Sequence, residues 1–360
     1  MARVGICSFW FNRGQAVVGR HLRSVIDGLG HETFVLARPT RATNIKPSLI
    51  ESSDVWDQPG VTNGSAFEMP AEEYVAWARE NELDAAFFFA NYQLEEIAAV
   101  RAAGVTTLGA FMWENFAPEQ AEPAQRALDV IYCFSECDRE RYAEMGIESP
   151  LVPWGCHPEL DAIVPNRREG EVRLFYPGGY MTERKPLKPV VRAFRKSEDP
   201  RLRLVLKAQV IRKTGFVEKM AARDERIEVI YDDLPTREHL QLFADCDALL
   251  APSRWEGLGL HLFEATAFGM PIITNDNPPM NEVVEDELNG ILVRGFEDGQ
   301  APSGIPAFAP DQEELSWAID QIADDARRAR FAEGALEMKG RRSWDRTIAG
   351  IRDLLAHAGV

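Results

Sequence analysis

The feature that most constrains this chain is a rhythm: short apolar runs alternate with amphipathic segments, and the alternation runs twice. In the first series Val4–Phe9, Thr33–Ala37, Ala85–Ala90, Val105–Phe111 and Val130–Ser135 read as strands. Gln15–Leu29, Glu72–Glu80, Leu94–Ala103, Pro123–Ala127 and Asp138–Met145 read as helices, the first with Val18, Leu22, Val25, Ile26 and Leu29 on one stripe. Strands alternating with helices in this way predict a mostly parallel sheet covered by helices on both faces.

The period pauses over 151–170, which reads as an interdomain linker, and then resumes. Val172–Tyr176, Leu202–Ala208, Ile227–Tyr231, Ala248–Ala251, Pro271–Thr274 and Gly290–Val293 form the second set of strands. Helices are expected at 188–196, 216–223, 237–244, 260–269, 312–323, 325–338 and 344–357, with a short one starting at 281. Residues 295–309 are rich in Gly, Pro and Ala and are expected to be a long loop. The expected fold is therefore α/β, with two doubly wound units and a cleft between them, over 1–152 and 153–343. A chain of 360 residues is long enough for two such cores.

Charge narrows the function. Forty basic and 57 acidic side chains give a net charge of −17, which argues against a nucleic-acid binder that must displace phosphate counterions. Most of the negative charge lies in 51–150, with 5 basic and 20 acidic residues. One segment runs the other way: 184–213 holds 11 basic residues and only two acidic ones, Glu198 and Asp199. No apolar run approaches the ~18 residues a membrane helix needs. The short apolar start reads as a first strand rather than a signal peptide. Five scattered cysteines with no C-x-x-C pair predict neither a zinc site nor a disulfide framework, and place the chain in a reducing cytoplasm.

The sharpest segment is Pro252-Ser253-Arg254-Trp255-Glu256-Gly257-Leu258-Gly259-Leu260-His261-Leu262-Phe263-Glu264-Ala265, which leaves an apolar strand and enters a helix. Gly257 and Gly259 let the backbone pass close to a ligand. The free N–H groups of the helix's first turn then favour an anion such as a phosphate. Glu256 in the loop and Glu264 inside the helix offer carboxylates that suit pairs of sugar or ribose hydroxyls. Lys207 closes the strand Leu204–Lys207, at the strand end where ligands bind in such folds. Glu114 follows another strand and is a candidate to position or deprotonate an acceptor hydroxyl. No two histidines have metal-ligand spacing, and the acidic pair Asp232-Asp233 lacks the spacer of a D-x-D metal motif, so no metal and no cofactor is expected.

The run Glu256-x7-Glu264, followed by Ala265, Ala267, Gly269 and Pro271, resembles the signature of GT-B glycosyltransferases, above all the retaining family 4. Leu29-Gly30-His31-Glu32, Val152-Pro153-Trp154-Gly155, Glu282-Val283-Val284 and Asn289-Gly290-Ile291-Leu292-Val293 agree with it. The resemblance implies transfer of a sugar from a UDP- or GDP-sugar to the hydroxyl of a small-molecule or glycan acceptor, with retention. It implies that the second unit binds the donor and the first the acceptor, with helix 344–360 packing back on the first. Glu256 would contact the donor sugar, and the amides of Gly257, Leu258, Gly259 and Leu260 would hold the diphosphate. Glu264 would hold the ribose, and the backbone near Asp232, Asp233 and Leu234 the base. Lys185 fits the family's diphosphate lysine. Gly179 stands where an Arg is usual, so Arg184 or Lys207 would supply the second charge. In the first unit only Gly14 remains of a glycine pair near the donor phosphate, beside Arg13. Asn91 or Tyr92 stands near the place of a family histidine. A nucleotide-sugar epimerase or phosphorylase on the same scaffold, and a non-catalytic nucleotide-sugar binder, are the competing readings.

Overall fold

The computed structural model describes residues 1–41, 46–209 and 215–360. The end of the basic segment, 210–213, lies outside the described residues. Internal contacts divide the chain into two units, Met1–Trp154 with Asp345–Val360, and Gly155–Trp344.

The first unit is built on strands β1 (Arg3–Phe9), β2 (Glu32–Arg38), β3 (Val61–Asn63), β4 (Ala85–Phe89), β5 (Thr106–Ala110) and β6 (Val130–Ile131). All pair in parallel, in the order β3-β2-β1-β4-β5-β6. Helices α1 (Gly14–Gly28), α2 (Ala71–Glu80), α3 (Leu94–Ala102), α4 (Ala121–Ala127) and α5 (Glu136–Glu144) connect them. β4 reads Ala-Ala-Phe-Phe-Phe and is buried throughout, as a central parallel strand covered on both faces must be.

The second unit repeats the plan. Strands β7 (Val172–Gly179), β8 (Leu202–Ala208), β9 (Ile227–Ile230), β10 (Ala248–Leu250), β11 (Ile272–Asn275) and β12 (Gly290–Val293) form a parallel sheet ordered β12-β11-β10-β7-β8-β9. Then come an antiparallel hairpin, β13 (Gly295–Gln300) and β14 (Pro306–Pro310), and helices α6 (Leu187–Lys196), α7 (Gly215–Ala221), α8 (Thr236–Ala244), α9 (Leu260–Ala267), α10 (Met280–Val283), α11 (Gln312–Ala323), α12 (Asp325–Arg341) and α13 (Trp344–His357). Val190, Val191 and Phe194 of α6 and Leu315, Ile319 and Ile322 of α11 are buried against the sheet residues Leu174, Leu204 and Ile273. From Asp345 onward α13 belongs to the first unit, where the Thr347 hydroxyl donates to Pro153 O at 2.8 Å.

Two features depart from the sequence expectation. Residues 295–310 are not a loop but the β13–β14 hairpin, turning through Gly304 in the left-handed region. β13 is exposed at nearly every position, so it lacks the apolar signature of a strand, and it forms because β14 supplies its hydrogen bonds. β3, three residues long and mostly exposed, escapes hydropathy for the same reason.

Both sheets change direction once. In the second unit the switch falls between β7 and β10, which are neighbours and lead to opposite sides. In open α/β sheets the crevice for ligands opens at such a point, outside the carboxyl ends of the strands. The turn after β7 and the loop after β10 are therefore where the sheet makes room for a ligand. Among the described residues no helix is long and apolar enough to cross a membrane.

Candidate active site

The turn after β7 runs Gly178-Gly179-Tyr180-Met181-Thr182-Glu183-Arg184-Lys185. Gly179 has φ +51° and carries the chain sharply off the strand. The loop after β10 runs Pro252 to Gly259, and the two segments are tied by Arg254 N donating to Arg184 O at 2.9 Å. This puts Arg184 and Lys185 against Glu256. The Lys185 ammonium donates to Glu256 Oε1 at 2.5 Å and to Ser253 Oγ at 2.9 Å. Arg184 Nη1 reaches Glu256 Oε2 at 2.9 Å, and Ser253 Oγ donates to Oε1 at 2.7 Å. Glu256 is 3% and Lys185 7% exposed, so this is a buried ion pair with the half-buried Arg184 as its second cation.

Burial alone would raise the Glu256 carboxyl, but Arg184, Lys185 and then His261 hold it well below the usual carboxylate range. Burial pushes the Lys185 ammonium down to about 8, with Glu256 pulling the other way and Arg184 adding to the fall. The site thus holds one more positive charge than negative at neutral pH, a field suited to an anion.

Gly259 precedes α9 with φ +73°, and a Cβ there would meet Leu262 Cδ1 at 2.9 Å. This residue aims the first turn of α9 and must be glycine. No side chain caps α9 and no acid lies in its first turn, so its leading N–H groups are not neutralised by the helix itself. Glu264 sits one turn further on. Burial and the nearby Glu159 raise its carboxyl to about 7.

Polar atoms without partners gather here. The Tyr176 hydroxyl on β7, Asn275 Oδ1 at the end of β11, and Arg254 Nε have no hydrogen-bond partner among the described residues. Asn275 Nδ2 donates to Ser253 O and to Phe308 O of β14, each at 3.1 Å, and Phe308 N donates to Arg254 O at 3.0 Å. The hairpin therefore buttresses the loop that carries Glu256. Sequence reasoning quoted Ser253 without a role and missed Asn275. Its only signal was a polar residue at the carboxyl end of a strand.

The remaining expected residues fall as follows. Lys207 is 2% exposed and donates to Ala208 O at 2.9 Å and Asp232 O at 2.7 Å, fastening the loop that carries Asp233 and Leu234 to the end of β8. Glu256 meets Arg184 and Lys185. Asn91 lies in the core at the end of β4. It is fully buried, with Nδ2 on the Tyr74 hydroxyl at 3.0 Å and 3.6 Å from Cys7 Sγ, while Oδ1 accepts from Gln93 N at 3.1 Å. Its amide braces the end of β4. Glu114 is buried after β5, where its charge acts on the Tyr92 phenol. Gly14 is the exposed first residue of α1, and Arg13 before it donates from Nη1 to Asn12 O at 2.6 Å.

The family model "Glycosyl transferases group 1" matches residues 163–338. A D-inositol 3-phosphate glycosyltransferase of Xylanimonas cellulosilytica is 32% identical over 133 residues, 36% of this chain and 28% of that protein. The chain thus spans less than a third of the length of that relative. Among solved structures, a sucrose-phosphate synthase from Thermosynechococcus elongatus superposes with TM-score 0.74 at 16% identity, covering 99% of each chain. Anabaena Alr3699/HepE in complex with UDP-glucose gives TM-score 0.72 at 15% identity, covering 99% of this chain and 100% of that one. Residues 163–338 thus match the glycosyl transferases group 1 family model, in a chain with the GT-B fold.

Proposed function

We propose that this protein transfers a sugar from a nucleotide-diphosphate sugar, UDP- or GDP-linked, to an acceptor hydroxyl, with retention at the anomeric carbon and without a metal. The observation that carries the reading is the Arg184–Lys185–Glu256 triad, set at the sheet's switch point beside the uncapped start of α9. A diphosphate would lie between the two cations and the amides of Gly257 to Leu260. As the bond to the sugar breaks, negative charge grows on the leaving phosphate, and fixed cations there lower the barrier. They also do the neutralising work that a divalent ion does elsewhere.

Glu256 orients both cations rather than touching the sugar. Glu264 would accept from the ribose hydroxyls, ionising as it does so, since burial leaves it half-protonated near neutral pH. Lys207 would hold the loop of Asp233 and Leu234 against the base. The first unit would take the acceptor, with Gly14 and Glu114 at the carboxyl ends of its strands, and the leaving phosphate would accept the proton of the attacking hydroxyl.

The experiment is a thermal-shift panel of nucleoside diphosphates and their sugars, followed by acceptor screening with the stabilising donor. The expected result is release of nucleoside diphosphate only with an acceptor, and a glycoside of unchanged anomeric configuration by NMR. Inverted product would refute retention. A donor that binds and is never turned over with any acceptor would refute transfer.

A further inference from the structure

The triad has a fourth member that the reading above leaves idle. His261 is the second residue of α9, its side chain 14% exposed, with Nε2 3.8 Å from Glu256 Oε1. That distance is too long for a hydrogen bond, and Nε2 is buried with no hydrogen-bond partner among the described residues. The imidazole thus faces the same space as Lys185 and Arg184, next to the amides that would hold a diphosphate.

The charged groups around it are Arg184 and Lys185 from the turn after β7 and Glu256 from the loop before α9. One turn along α9 comes Glu264, with Glu159 behind it. Burial first, then Lys185, push the imidazole down to about 3, against the pull of Glu256. Without a ligand it is therefore neutral. A bound diphosphate brings two negative charges to a site whose surplus is a single positive one. The field at Nε2 then reverses, and an imidazolium becomes the favoured form.

We propose that His261 takes up a proton when a nucleotide-diphosphate sugar binds, and so becomes a third, ligand-induced cation on the diphosphate. The proton comes from solvent and is returned when the nucleotide leaves. This rests on the donor-site reading above. Its use is economy of charge: a permanent third cation packed against Lys185 would destabilise the empty site, whereas a titrating one carries its charge only when the phosphates are present.

Linkage gives the sign. Between the low pKa of the empty site and the raised one of the complex, binding consumes a proton, so affinity falls by up to about tenfold per pH unit as pH rises, and levels off above the raised value. Glu264 works in the opposite sense. Hydroxyl donors favour its ionised form, so it releases protons on binding. The two contributions separate by variant.

The test is titration calorimetry of the intact protein at about pH 6 with UDP-glucose and with GDP-mannose, in buffers of different ionisation enthalpy. Neither probe titrates near that pH, so the slope of observed heat against buffer enthalpy counts the protein's protons. The proposal expects the wild type to take up more protons than His261→Gln, and Glu264→Gln to keep the uptake. It also expects the pH dependence of affinity to flatten in His261→Gln, while circular dichroism shows that variant folded. Equal proton counts in the wild type and His261→Gln, with both binding, would overturn the proposal and leave the donor site standing. Binding of neither probe by the wild type would overturn the donor-site reading and the proposal with it.

Discussion

Replacing Glu256 by Gln tests the electrostatic logic of the triad without changing its volume. The carboxylate is 3% exposed and is the counter-charge for Lys185, itself 7% exposed. Breaking a buried pair from one side costs about 3–5 kcal/mol. Two details set the value at the low end. The Arg184 side chain is 35% exposed and can re-solvate, and a Gln carbonyl can still accept from Lys185 Nζ. Roughly 3 kcal/mol remains, which in a unit of this size lowers the melting temperature by about 6–12 °C. The loss is pH-dependent. With Glu256 present the Lys185 ammonium sits at about 8; without that attraction it falls further. Below the lower value the full penalty applies. Between the lower value and about 8 the variant sheds the proton and escapes the cost while the wild type does not, so the gap narrows as pH rises to about 8 and levels off above it. Thermal unfolding of both proteins followed by circular dichroism across that range measures it. A gap that is absent, or that widens with rising pH, would refute the view that Glu256 is there to neutralise Lys185.

Gly259→Ala forces a Cβ into the left-handed region and to within 2.9 Å of Leu262 Cδ1. It should cost roughly 1–2 kcal/mol and weaken nucleotide binding, both read in one thermal-shift series with and without donor. Lys207→Met leaves Ala208 O and Asp232 O without their donor, so it should lower the melting temperature and blunt discrimination between uridine and guanosine donors; unchanged discrimination would separate Lys207 from the base loop. Glu264→Gln should stabilise the free protein at about pH 8 by roughly 1–3 kcal/mol and have no effect at about pH 4. The sign follows from its carboxyl being raised to about 7, so that the unfolded chain ionises first and draws stability away as pH rises. Asn91→Ala strands the Gln93 N–H and removes one donor from the Tyr74 hydroxyl, which keeps its bond to Gln93 Oε1, and should cost about 1–3 kcal/mol in unfolding.

The parallel sheets were legible because their strands are buried on both faces, as β4 and β7 show, so hydropathy alone marks them. The strand–glycine loop–helix at 248–267 was legible for a different reason: its backbone needs glycine at 259, and no other residue type serves as well. What hydropathy could not show was which groups meet. Arg184 and Glu256 are 72 positions apart, and only the β7–β10 neighbourhood, a property of strand order, joins them. The hairpin at 295–310 was unreadable because an exposed ribbon carries no apolar period. Asn91 shows how pattern and contact differ: a polar residue at a strand's carboxyl end suits a ligand, and here its amide is bonded to polar atoms of the core. Lys207 is buried at the end of β8, and its ammonium is bound to backbone carbonyls, which no pattern in the sequence announces.

The central claim is that Lys185 and Arg184, set by Glu256, receive the diphosphate of a nucleotide sugar. Calorimetric titration of UDP-glucose and GDP-mannose into the wild type and Lys185→Ala tests it most directly. The account predicts binding of one of them by the wild type, weakened at least about tenfold by the loss of one charge-assisted contact. Equal affinity in the folded variant would contradict it.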